Sequence, residues 1–404
     1  MTEMTSEAQM AEMTAADAAA PVAPAGELFQ LRHDIAFLNH GSFGACPRPV
    51  FEMYQRWQRE LEAQPVEFLG RRLGGLLAEA RERLAAYLGA HADDLVFVPN
   101  ATYGMNIVAR SLGLQPGDEV LGTDHEYGAV ARTWRFVCGP RGATYRAQPI
   151  PLPVTDADAL VERLWEGVTE RTRVIVVSHI TSPTALIFPV AAICRRAAER
   201  GILTVVDGAH APGQVDLALD ALGADFYTGN LHKWLCAPKG SGFLYARPER
   251  QHLLRPLAVS WGWEAEQPGP SPFQDYFEWT GTDDPAAYLS VPAAIAFQEE
   301  HNWPAVRVAC HALAATARER IAALTGLPQI SPDSPEWWMQ MCAAPLPVRA
   351  GVPREELHRW LWEEHGVEVP ITDWQNQRFV RVSIQAYNSP ADVERLLAGL
   401  AALL

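Results

Sequence analysis

The chain holds two lysines, Lys233 and Lys239, both inside the stretch GILTVVDGAHAPGQVDLALDALGADFYTGNLHKWLCAPKGSGFLYAR at 201–247. Arginine carries the positive charge everywhere else. A lysine amine, unlike a guanidinium, loses its proton when desolvated and then attacks a carbonyl. Upstream, ILTVVD is an apolar β-branched run that closes on Asp207, the pattern of a buried parallel strand. A carboxylate ending one strand and a lysine after the next are the two groups a pyridoxal phosphate site needs. The amine bonds the cofactor's aldehyde and the acid holds its ring nitrogen protonated. A surface lysine and a turn aspartate would present the same residues, and these two positions alone leave both readings open.

The elements around them are set by alternation. From Leu95 onward, strand-like LVFVPN, DEVLGTD, ATYRAQPI, RVIVVSH, ILTVVD, ADFYTGN and GSGFLYAR are mostly separated by helical runs, such as TYGMNIVARSLG and PVAAICRRAAERG. Crossovers of this length imply a mainly parallel sheet, with ligands at the C-terminal ends of the strands. Those ends are Asn100, Asp124, His179, Asp207 and Asn230, so polar residues gather along one edge. Pro99-Asn100-Ala101-Thr102 ends a strand and opens a helix, where free backbone N–H groups and a hydroxyl suit a phosphate dianion. The threonine reads equally as an ordinary helix cap.

Ahead of this unit, Asn39, His40 and Ser42 crowd a Gly-rich loop, either a functional loop or an Asn-capped turn. A helical period follows from Val50 to Leu88, with a break expected near Gly70, Gly74 and Gly75. Residues 1–27 read as a disordered acidic tail without Lys or Arg, 28–60 as a segment packing with a small domain, and 61–290 as the large domain. Residues 291–404 read as a smaller α+β domain. Trp337 and Trp338 are expected in the core or an interface, and Arg71-Arg72 on a solvated helix face.

With 404 residues, 48% of them apolar, the chain has ample material for two domains. A net charge of -15 argues against nucleic acid or a membrane surface as partner. The six cysteines lack a CxxC pair, which points to free thiols in a reducing cytoplasm and to no metal site. No run approaches the roughly twenty apolar residues of a membrane span.

Read in order, LNHGSFG (38–44), VPNATYGMN (98–106), DHEYGA (124–129), SHITSPTALIFPV (178–190), VDGAHAPGQ (206–214), GNLHKW (229–234) and RVSIQAYNS (381–389) resemble the class V aminotransferase family of pyridoxal phosphate enzymes. SHITSPTA and TGNLHKW look most like its isopenicillin N epimerase-like branch. The resemblance implies an α/β protein of the PLP-dependent transferase fold type I, a mainly parallel large domain with a smaller α+β C-terminal domain. It implies pyridoxal 5'-phosphate as cofactor and a cytoplasmic homodimer with shared active sites. Lys233 then matches the Schiff-base lysine and Asp207 the acid at the ring nitrogen. His210 sits where the family bonds the ring's phenolic oxygen. Ala101, Thr102, Asn230 and His232 match the phosphate cup. Gly281 and Thr282 resemble the loop that reaches the neighbouring subunit's phosphate.

His125 falls where the family stacks a ring on the cofactor, with Tyr127 competing for that place and as second proton donor. Arg381 matches the arginine whose planar fork grips a substrate carboxylate. Asn39 and His40 are expected beside the substrate. Ser182 replaces an asparagine that cysteine desulfurases use near the cofactor. The activity implied is removal of the Cα proton of an amino acid or a derivative, leading most directly to epimerisation or racemisation. C–S lyase or desulfurase-like β-elimination and transamination are the alternatives, and a non-catalytic scaffold would be expected to lose the lysine or the acid. HGVEVPITDWQNQ (365–377) contains no cysteine, which argues against the persulfide relay of cysteine desulfurases.

Overall fold

The computed structural model describes residues 25–269, 271–348 and 352–403. Residues 1–24 of the expected tail lie outside the described residues, and Ala25–Leu28 form a short 3-10 turn. The strands in chain order are β1 (Ala36–Phe37), β2 (Leu95–Val98), β3 (Glu119–Thr123), β4 (Thr144–Gln148), β5 (Thr172–Ser178), β6 (Leu203–Asp207), β7 (Phe226–Asn230) and β8 (Gly242–Ala246). They continue with β9 (Met341–Leu346), β10 (Val367–Glu368), β11 (Ile371–Trp374) and β12 (Gln377–Ser383).

Strands β2 to β8 build one sheet in the order β2-β8-β7-β6-β5-β3-β4. All neighbours are parallel except β8, which runs against β2 and β7. The apolar runs follow from burial on both faces, because alternate side chains feed two separate cores. Val174 and Val176 pack with Met105, Val130 and Trp134 from the helices Ala101–Ser111 and Gly128–Cys138. Ile175 and Val177 belong to the opposite core with Leu160, Ile193 and Leu84. This stacking leaves the C-terminal ends of β2, β5, β6 and β7 along one edge of the sheet.

A second sheet of order β11-β12-β9 is antiparallel. Strand β1 pairs in parallel with β10, and Leu38 N–H and Ser383 N–H extend the link through Glu368 and Leu38 carbonyls. The N-terminal loop is thereby tied to the C-terminal third of the chain. Trp337 and Trp338 are buried in the core, and Arg71 is exposed.

One local reading changes. The helical period of 50–88 breaks earlier than its glycines suggest, at Gln64-Pro65, since proline cannot donate within a helix. A wide π turn then spans Phe68–Arg72. Gly74 and Gly75 lie inside the following helix, Leu73–Leu88. The helical run beyond 290 splits at Asn302, whose φ of 47° separates Val291–Glu300 from Trp303–Thr325. Among the described residues no helix is long and apolar enough to cross a membrane. The six cysteines are free thiols, five of them buried.

Candidate active site

Lys233 lies in the connection between β7 and β8, beside the end of β6 where Asp207 stands. Its amine is buried and pushed down to about 7, by burial first and the Arg381 cation second, with Asp207 opposing. Lys233 Nζ is 3.3 Å from His210 Nε2. The indole N–H of Trp234 donates to His210 Nδ1 at 3.2 Å, so the imidazole proton sits on Nε2 and points at the amine. Burial first, then the charges of Lys233 and Arg381, hold His210 well below the ordinary histidine range. Asp207 accepts the Ala209 N–H at 2.9 Å, and burial raises its carboxyl against that bond and the lysine charge.

The loop before β2 covers the lysine from the other side. Gly44, at φ +71°, approaches so closely that a Cβ would lie 2.0 Å from the His232 carbonyl oxygen. His40 is fully buried, its Nε2–H donating to the Lys233 carbonyl at 3.0 Å and its Nδ1 accepting from the Tyr387 hydroxyl at 3.0 Å.

At the end of β2, Asn100 caps the helix Ala101–Ser111, its side chain accepting the Tyr103 N–H at 2.9 Å. Asn230, ending β7, accepts the Ala101 N–H at 2.8 Å and ties this helix start to the lysine loop. His232 bonds the Ser241 carbonyl through Nδ1 at 3.0 Å.

Arg381 on β12 reaches the same edge. Nη1 donates to the Ser182 carbonyl at 2.7 Å and hydroxyl at 3.0 Å, and Nη2 to Ser42 Oγ at 3.1 Å. Nε is buried without a partner, and no carboxylate pairs with this arginine among the described residues. Only 5% exposed, it is a buried cation surrounded by neutral oxygens. Burial brings it down to about 10. Ser42 in turn donates to Asn39 Oδ1 at 2.5 Å, and Asn39 Nδ2 donates to Glu368 at 2.7 Å.

A cleft of about 260 Å³ opens among these parts, with Arg381 set behind its wall and tied to it through Ser182 and Ser42. It is lined by Ala101, Thr102, Asn230 and His232 at one end, and by Asp207, His210, Lys233, Ser182 and Tyr127. A larger apolar groove, about 590 Å³, lies between the helices Arg48–Ala63, Leu73–Leu88 and Val291–Glu300, away from this chemistry.

Five expected residues stand elsewhere. His125 is not on the cleft wall: it is 0% exposed, with Nε2–H donating to the Ile150 carbonyl and Nδ1 accepting from Thr184. Its ring packs on Trp374, 4.3 Å between centroids. Of the two candidates for the stacking place, Tyr127 is the one that lines the cleft, at 49% exposure. Asn39 and His40 do not line the cleft either, since their polar atoms are spent on Glu368, Ser42, Lys233 and Tyr387. Gly281 and Thr282 do not line this chain's own cleft.

Ser178, Ile180, Ser42 and Phe43 also line the cleft. Period-2 alternation back from Ser182 through Ile180 identifies Ser178. It also explains why His179, though at the strand end, turns away to bond the Tyr227 hydroxyl at 2.9 Å. No sequence pattern marks Phe43, 71% exposed at the mouth.

The donor set fits pyridoxal phosphate: a buried acid, a lysine amine of lowered basicity, and a helix start beside Thr102 and His232 within one cleft. The hairpin β11–β12, which occupies the cysteine-free region before Arg381, docks onto the large sheet. Its Trp374 Nε1–H donates to the Asp124 carbonyl at 2.7 Å.

Residues 44–396 match the family described as Aminotransferase class-V. An isopenicillin N epimerase of Amycolatopsis lactamdurans is 39% identical over 390 residues, covering 94% of this chain and 97% of that protein. A probable chloroplastic L-cysteine desulfhydrase of Arabidopsis thaliana is 29% identical, covering 90% of this chain and 82% of that one. Among solved structures, a cysteine desulfurase from Escherichia coli superposes with a TM-score of 0.77 at 24% identity, covering 95% of this chain and 99% of that chain.

Proposed function

Because the chain belongs to the Aminotransferase class-V family, enzymes of fold type I that depend on pyridoxal 5'-phosphate, we propose that it epimerises an amino acid or amino-acid derivative at Cα. Bound in the cleft, the cofactor supplies an electron sink that acidifies the substrate's Cα–H. Lys233 holds the cofactor and, with an amine near neutrality, takes and returns the α-proton. His210, with its proton on Nε2, keeps a donor at the amine. Asp207 holds a proton at the ring nitrogen, Thr102 and His232 receive the phosphate, and Tyr127 covers the ring.

The observation that carries the substrate end is Arg381. A buried guanidinium with a free Nε–H and only neutral oxygen partners calls for an anion, and a planar carboxylate matches its fork. Ser182 and Ser42 fix the fork's orientation. The epimerase outcome is supported by the likeness to isopenicillin N epimerase and by two proton-carrying side chains, Lys233 and Tyr127, on one cleft. The active unit is a homodimer in which Gly281 and Thr282 complete the neighbouring phosphate cup.

β-Elimination is the second reading, supported by the likeness to the desulfhydrase. Both reactions begin with the same proton removal and part afterwards. A panel of amino acids in deuterated water tests them: epimerisation accumulates deuterium at Cα in both configurations with no loss of amino acid. Keto acid and ammonia as main products would replace it with a lyase.

A further inference from the structure

Beneath the cleft lies a second buried carboxyl that the proposed chemistry does not use. Glu126 follows β3 directly before Tyr127, yet points inward while Tyr127 lines the cleft. Its Oε1 accepts from the Thr123 hydroxyl at 2.7 Å and its Oε2 from the Ser178 hydroxyl at 2.6 Å. No cation pairs with it among the described residues. Ser178 lines the cleft and is the register partner of Asp207 on the adjacent strand, so the serine hydroxyl bridges Glu126 to the site. The groups facing Glu126 are Asp207 from β6 and the Tyr145 phenol from β4, whose buried hydroxyl has no partner. Asp124 and Arg135 lie beyond, beside Tyr145.

Glu126 has no cation of its own and Asp207 only the Lys233 amine, so the two buried carboxyls are mutually unfavourable when both are ionised and one of them retains a proton. Burial first, with the Asp207 charge adding, raises Glu126 to about 7, while its two hydroxyl donors oppose. A ring cation docking on Asp207 changes this balance, because it neutralises the charge that opposes ionisation of Glu126.

We propose that Glu126 is a positioning residue for Asp207: it holds a proton in the cofactor-free protein and gives it up through Ser178 when the ring cation docks. In the protonated state the Glu126 O–H donates to Ser178 Oγ, whose own hydrogen faces the cleft. On loading, the Glu126 O–H bond breaks, Ser178 takes that proton and releases its own to solvent, and the serine then donates to the new carboxylate. The loaded site thereby gains a second negative charge that holds the ring nitrogen protonated. The proposal rests on the reading that Asp207 meets that nitrogen.

The test is calorimetric titration of the cofactor-free full chain with pyridoxal 5'-phosphate at pH 7, in cacodylate and in HEPES, to count protons exchanged. Wild type is expected to release about half a proton per site more than Glu126→Gln, since a group near its pKa is half protonated. Glu126→Gln keeps an acceptor for the hydroxyls. Equal proton counts in the two proteins overturn the proposal. Asp207→Asn separates the underlying reading: wild-type affinity in that variant sinks the ring-nitrogen assignment itself, and the proposal with it. Should Glu126→Gln not fold, infrared difference spectra of wild type decide. Loss of a protonated-carboxyl band on loading supports the proposal, and an unchanged band refutes it.

Discussion

His40 Nε2 lies 3.0 Å from the carbonyl oxygen of Lys233, so the N-terminal loop joins the Cys236 N–H, also at 3.0 Å, in supporting the reactive residue's backbone. The bond crosses 193 positions of sequence. Its far side is anchored by Tyr387, which stacks with Phe37 and meets Phe29 edge-on. Removing the imidazole leaves the Tyr387 phenol unpaired in a dry core, at about 1–3 kcal/mol, and leaves the Lys233 carbonyl with the Cys236 N–H alone. His40→Ala should lower the denaturation midpoint of the cofactor-free chain and weaken cofactor retention. Unchanged stability and retention would show that the lysine loop stands alone.

Lys239 is the natural control for Lys233. It is exposed, and its amine donates to the Gly44 carbonyl at 3.0 Å, outside the cleft. Borohydride reduction of the loaded protein should therefore fix the cofactor on the peptide containing Lys233, and Lys233→Ala should abolish that adduct. Mass mapping checks both. An adduct on Lys239 would overturn the site assignment.

Arg381→Lys keeps the charge and loses the fork. An ammonium cannot donate to Ser182 and Ser42 while presenting a second parallel pair to a carboxylate. Charge-assisted bonds are worth about 1.5–3 kcal/mol, so substrate affinity should fall roughly ten- to a hundredfold while cofactor binding is kept. Spectral titration with the responsive amino acid measures it. Wild-type affinity would move the carboxylate elsewhere.

The acid side of the stability profile follows from the buried imidazoles. His40 is held at about 3, His179 and His232 at about 4, and His210 well down, all by burial first, against an unfolded value of 6.5. The unfolded chain therefore binds more protons below pH 6.5. The stability these groups contribute is present above 6.5 and is lost as pH falls toward their folded values. Asp207 and Glu126, raised by burial, act in the opposite sense: their contribution is present at low pH and is lost as pH rises through the folded value, about 7 for Glu126. The imidazoles, His125 among them, take up their protons in the unfolded chain within this window, so the urea midpoint of the cofactor-free chain should drop between pH 6.5 and about pH 5. A flat or rising profile there would contradict these burial assignments.

Much of the site was legible because it sits at strand ends. Asp207, Asn230 and Asn100 follow apolar runs whose alternation feeds two cores, and the parallel order brings their ends together. His125 and His40 stand off the cleft wall for a common reason: a histidine's letter says nothing of which way its ring turns. Each is locked by a carbonyl and a hydroxyl brought from distant segments, Ile150 and Thr184 for one, Lys233 and Tyr387 for the other. Glu126 was hidden between two conspicuous neighbours. Its role depends on Ser178, a contact across 52 positions that no local period encodes.

On the proposed reading, Tyr127 is the residue placed to set the outcome at Cα. It follows the inward Glu126, opens the helix Gly128–Cys138, and lines the cleft with Lys233 while remaining 49% exposed. A phenol there has two uses, to cover the ring by packing or to exchange a proton with the substrate. Tyr127→Phe separates them, because it keeps the ring and removes the hydroxyl. If Lys233 serves one configuration and Tyr127 the other, the variant should exchange the α-proton with retained configuration at close to the wild-type rate. Inversion should slow by about 10²–10⁴, the usual worth of a positioned acid. Chiral separation of the deuterated amino acid measures both rates in one reaction. Equal slowing of the two would assign Tyr127 to packing alone and send the search for the second acid to another residue of the cleft.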